Sequence, residues 1–118
     1  MEKSAIDGYV EKLAVMISGC IDVHTVFSSD IKPRNTENPM QSMFWLQGAQ
    51  NGVLIYFFRT LSADEQEINM LVLNEATHII GGTEKPLDVM DYIDAAVTVL
   101  GRLGIRIALP EDKLPPRR

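Results

Sequence analysis

A chain of 118 residues can build one hydrophobic core but not two, and its 46% hydrophobic and 23% charged residues exclude wholesale disorder. Eleven Lys and Arg against sixteen Asp and Glu leave a net charge of −5, which argues against nucleic acid and anionic membrane surfaces as partners, since both need a basic face. The one cysteine, Cys20, cannot close an internal disulfide, the opening MEKSAIDGYV has no hydrophobic signal core, and no apolar run is long enough to span a membrane, so the expected location is cytoplasmic.

The first predicted element is a helix over 4–22. Ser4-Ala5-Ile6-Asp7 resembles a helix start, and Ile6, Tyr9, Val10, Leu13, Met16, Ile17, Cys20 and Ile21 recur at intervals of three and four. The polar, proline-bearing run SSDIKPRNTENP, 28–39, predicts a loop. In MFWLQGAQNGVLIYFF, 43–58, Asn51-Gly52 is a strong hairpin signal, and Val53 to Phe58 is β-branched and aromatic. A hairpin of 43–48 and 53–60 is therefore expected. The rival helix would carry Gly48 and Gly52 inside, at roughly 1 kcal/mol each.

Ser62-Ala63-Asp64-Glu65 spells a capping box and Gly81-Gly82 a C-terminal stop, which predicts a helix over 63–80. The run INMLVL, 68–73, also reads as a buried strand, with helix preferred. A further helix is expected over 86–103, opened by Pro86, with Val89, Met90, Ile93, Ala96, Val97, Leu100 and Leu103 in one stripe and Asp88, Asp91 and Asp94 opposite. IRIAL, 105–109, alternates and predicts a short strand. These elements give an α+β fold, a small antiparallel sheet (hairpin 43–60 plus strand 105–109) packed on two or three helices. Two alternatives stand: 63–80 as a third strand, in the order α-β-β-β-α, and an all-α bundle. Residues 1–110 form one domain and 111–118 a flexible tail.

Glu75-x-x-His78 puts a carboxylate and an imidazole on one face of a helix. Carboxylate-bridged di-iron bundles need two such pairs and two further glutamates, and this chain has one pair. A mononuclear site would have to recruit Cys20, Asp22 or His24. The weightier reading makes His78 a last-turn histidine and Cys20 a small core residue, so no metal or other cofactor is expected. Asp88 and Asp91, three apart, could form an acidic pair but are more simply acids near a helix N-terminus. No nucleophile elbow, zinc-protease motif or phosphate loop occurs, so no catalytic residue is assigned.

The aromatics Phe44, Trp45, Tyr56, Phe57 and Phe58 cluster in the hairpin segment. Alternation would place large apolar groups on both faces of a hairpin, one of which needs another layer, a second subunit or a ligand. The leading expectation is a non-enzymatic interaction domain, homo-oligomeric or an adaptor for another protein. Two other readings stand beside it. One is a binding domain for an apolar or cationic aromatic small molecule. The other is a metal-binding protein using His24, Glu75 and His78.

Overall fold

A computed structural model of the chain describes residues 2–28, 49–82, 84, 87–112 and 114. Within them the regular structure is four helices: α1 (Lys3–Ser28), α2 (Ala49–Thr60), α3 (Ala63–Ile80) and α4 (Val89–Arg102). No strand occurs among the described residues. The α+β expectation is therefore overturned, and with it the third-strand alternative for 63–80. The all-α bundle fits.

The hairpin fails for a reason that can be located. Asn51-Gly52 lies inside α2, and residues 43–48 lie outside the described residues. Leu54 and Phe57 are buried in the core and Phe58 packs against it, at spacings of three and four. A helix brings all three to one side, whereas a strand would send Phe57 and Phe58 to opposite faces. Burying a leucine or phenylalanine is worth about 1.5–3 kcal/mol, which outweighs the roughly 1 kcal/mol helical penalty of Gly52.

α3 packs most extensively on α4, and α1 on α2; α1 also meets α3. α4 is the central helix, burying Val89, Met90, Tyr92, Ile93, Ala95, Ala96, Val99 and Leu100. This arc is wider than the predicted stripe and takes in Tyr92, Ala95 and Val99, while Leu103 lies partly in solvent. Tyr9 and Leu13 of α1, and Ile68, Val72 and Ala76 of α3, complete the core around it.

The helix ends follow the local sequence. Ser62 Oγ accepts from Glu65 N–H, and Glu65 Oε1 accepts from Ser62 N–H, closing the predicted capping box of α3. Gly81 ends that helix at φ 85°, a left-handed conformation that favours glycine, and Gly82 N–H returns to the Thr77 carbonyl at 3.0 Å. α4 starts later than predicted because Asp88 is its N-cap. Asp88 Oδ1 accepts from the amides of Met90 and Asp91, and Asp91 Oδ2 accepts from Asp88 N–H. The acidic pair is thus a second capping box.

After α4 the predicted strand 105–109 has no strand partner among the described residues. Ile105, Ile107 and Leu109 pack against the core, and Leu114 is buried in it, so the packed chain runs past residue 110.

Candidate functional site

The densest polar chemistry lies where α2 turns into α3 and α1 crosses both. Lys12 Nζ, from α1, donates to Glu65 Oε1 at 2.5 Å and to the Thr60 carbonyl at 2.8 Å. That carbonyl is an orphan of the last turn of α2, so Lys12 places a cation at the negative end of one helix and on the capping carboxylate of the next. Gln66 Nε2 covers the Phe58 carbonyl at 3.0 Å, and Thr60 Oγ1 covers that of Phe57 at 2.7 Å. The approach of α1 is close enough that a Cβ on Gly8 would fall on Glu65 Oε2. The Lys12 hydrogen bond, and after it that of the Ser62 amide, holds the Glu65 carboxyl below its ordinary range.

From this corner a chain of hydrogen bonds runs into the core. Tyr9 Oη and Tyr92 Oη lie 2.7 Å apart, Tyr92 Oη donates to Asn69 Oδ1 at 2.5 Å, and Asn69 Nδ2 donates to Gln66 Oε1 at 3.3 Å. Its direction is set at the far end. The Phe58 carbonyl can only accept, so Gln66 must present its nitrogen there and its oxygen to Asn69. Asn69 is then left with its oxygen toward Tyr92. Tyr92 has one proton, used on Asn69, so Tyr9 donates to Tyr92. Among the described residues no buried side-chain nitrogen or oxygen lacks a partner. Burial pushes both phenols well above their usual range, and for Tyr92 the neighbouring Tyr9 adds to it. Phe57 sits edge-on to both tyrosine rings, with centroids 5.7 Å from Tyr9 and 5.9 Å from Tyr92.

This network was missed by sequence reasoning. Its signal was a pair of polar residues, Glu65 and Asn69, on the same helical face as Ile68, Val72 and Ala76.

The predicted site residues are dispersed. Phe57 is a core residue, Phe58 is half-buried on it with its ring 5.2 Å from Tyr92, and Tyr56 is exposed. Phe44 and Trp45 lie outside the described residues, as do the side chains of Cys20 and His24. Glu75 is held by Arg102 through a two-pronged ion pair, with Nη1 to Oε2 at 3.1 Å and Nη2 to Oε1 at 3.4 Å. His78 is exposed one turn further on. Among the described residues no three His, Cys, Asp or Glu side chains converge as metal ligands. An open cleft of about 410 Å³ is lined by Glu2, Ala5, Asp64 and Glu67.

The outer face of α3 differs from its polar inner edge. Met70 and Leu71 are 56% and 44% exposed, beside Glu67, Asn74 and His78. Among the described residues no helix is long and apolar enough to cross a membrane. No protein-family model matches the chain, and neither do any curated proteins or solved structures.

Proposed function

We propose that this chain is a non-enzymatic protein-interaction domain that self-associates, or docks another protein, through the outer face of α3. The observation that carries the reading is the exposure of Met70 and Leu71. On a helix Met70 lies opposite Ile68, Val72 and Ala76, and Leu71 lies to the side of that buried face. Methionine beside leucine makes an adaptable apolar contact, and the acids at Glu67 and Asp64 give it a polar rim. The buried hydroxyls and amides of Tyr9, Tyr92, Asn69 and Gln66 bond one another, which assigns them to the architecture rather than to a substrate. A cytoplasmic location suits a chain with one cysteine.

Sedimentation of the wild-type chain and of a Met70→Lys, Leu71→Lys variant over a wide concentration range tests this reading. Concentration-dependent association, lost in the lysine variant while helicity is kept, is the expected result. A wild-type chain that stays monomeric and binds no protein the variant fails to bind would overturn it.

A further inference from the structure

The exposed apolar pair on α3 does not stand alone. Leu71 follows Glu67 by four residues and Asp64 by seven, so the three share one line along the helix, and Met70 follows Glu67 by three. At a rise of about 1.5 Å per residue, Leu71 lies roughly one turn beyond Glu67 and about 10 Å beyond Asp64.

The start of the chain meets the lower end of that line. Glu2 and Ala5 join Asp64 and Glu67 in lining the open cleft of about 410 Å³, which has room for the end of a lysine or arginine side chain. Glu65 and Glu75 are each held by a cation, whereas Glu2, Asp64 and Glu67 have no ion-pair partner among the described residues. The dipole of α3 accounts for Asp64, which lies in its first turn, but not for Glu67 beyond it. An exposed apolar patch thus adjoins a cleft whose acids the described chain leaves without a counter-charge.

We propose, building on the docking role of the α3 outer face, that this surface receives a basic segment of a partner protein. Its cations enter the cleft of Glu2, Asp64 and Glu67, and an apolar side chain about 10 Å away rests on Met70 and Leu71. Charge decides between this occupant and a second copy of the chain. α3 contains no lysine or arginine, and a two-fold contact presents the same face twice, so a second copy brings no cation from α3 to the cleft. It also brings a chain of net charge −5 to another of the same sign. A basic segment neutralises the open acids, and the field of the whole chain favours its approach.

The test is a titration of the full chain, followed by its backbone amide resonances. The probe is an acetylated, amidated peptide of three lysines and two leucines joined by a short glycine–serine spacer. Resonances of Asp64, Glu67, Met70 and Leu71 are expected to shift together. Glutamates in place of the lysines should weaken binding by about tenfold or more, and serines in place of the leucines by about threefold. Glu2→Gln with Glu67→Gln should weaken the lysine peptide about fivefold at low salt and less at high salt. Both positions are exposed, so helicity should be kept, and the peptide series on the wild-type chain tests the same point independently. Equal affinity for the glutamate peptide, or an unchanged affinity in the glutamine variant, would overturn the basic partner. A loss of binding in Met70→Ser, Leu71→Ser would in that case leave the α3 docking face standing. If the serine variant binds the lysine peptide as tightly as wild type, the docking face fails and this assignment with it. Self-association of the wild-type chain that excludes the peptide would overturn the choice of occupant.

Discussion

α3 and α4 pack on each other, yet they divide their residues by opposite rules. α4 buries apolar side chains over a broad arc and keeps Asp91, Asp94 and Arg102 toward its outer side. α3 buries Glu65 and Asn69 among Ile68, Val72 and Ala76, and leaves Met70 and Leu71 in solvent. The first helix is held by burial of apolar surface. The second is held in part by directed hydrogen bonds, and it retains apolar surface outside the core. A buried polar group is tolerated only when bonded, and both Glu65 and Asn69 are. Directed bonds also resist slippage, because a shift of α3 along α4 would part Asn69 from Tyr92.

Perturbations ordered from the largest effect to the smallest sharpen this contrast. Ile93→Ala in α4 opens a cavity at a fully buried position and should cost about 2–5 kcal/mol in chemical denaturation. A loss under about 1 kcal/mol would mean that α4 is less central than its burial implies.

Asn69→Ala leaves the Tyr92 proton and the Gln66 oxygen without partners and should cost roughly 1–3 kcal/mol. In a double-mutant cycle with Tyr92→Phe, the two losses should fall short of adding. Additive losses would show that the hydrogen-bond chain does not act as a unit. The same phenols set the alkaline limit. Their folded-state values are raised above the ordinary phenol value of 10.0, so the stability they contribute is present below pH 10.0 and declines as pH rises beyond it. Phenolate absorbance from Tyr9 and Tyr92 should therefore appear together with loss of helical signal. Ionisation of both in a still-folded chain would contradict their burial.

Glu65→Ala removes one half of the α3 capping box and the Lys12 partner, for an expected loss of roughly 1–2 kcal/mol. Here the pH dependence has the opposite sense. The folded carboxyl lies below the ordinary glutamate value of 4.5, so its contribution is complete above pH 4.5 and is lost as pH falls through the folded value. Glu65→Gln should flatten stability against pH in that acid window, and an unchanged slope would place the acid sensitivity elsewhere.

At the surface, Arg102→Ala breaks the exposed pair with Glu75 and should shift stability by no more than about 1 kcal/mol, less at high salt. Met70→Lys should be nearly neutral for folding, within about 0.5 kcal/mol, because its side chain faces solvent. Larger losses there would indicate that the outer face of α3 is covered within the monomer.

Legibility followed the same divide. The α4 stripe, both ends of α3 and the buried face of α1 could be read from spacing and caps, because each rests on residues within a few turns of one another. Asp88 and Asp91 read most simply as acids near a helix N-terminus, and they form the capping box of α4. The α2 segment was misread because Asn51-Gly52 and the aromatic run are local strand signals, while the fate of Leu54, Phe57 and Phe58 depends on Tyr9 and Tyr92, far away in the chain. Of the candidate site, Glu75 and His78 share a helix as read, but Arg102, 27 residues away, occupies the carboxylate.

Periodicity and capping residues were sufficient for the bounds of α3 once it is helical, and for most of α4, since these rest on interactions between near neighbours. Tertiary structure decided that 49–60 is a helix, that Glu65, Asn69, Tyr9 and Tyr92 form a connected polar chain, and that Met70 and Leu71 remain outside. The physical reason is one of range. Propensities and turn signals are worth about 1 kcal/mol and act locally, whereas burial of a large side chain is worth more and is granted only by helices that meet from distant parts of the chain.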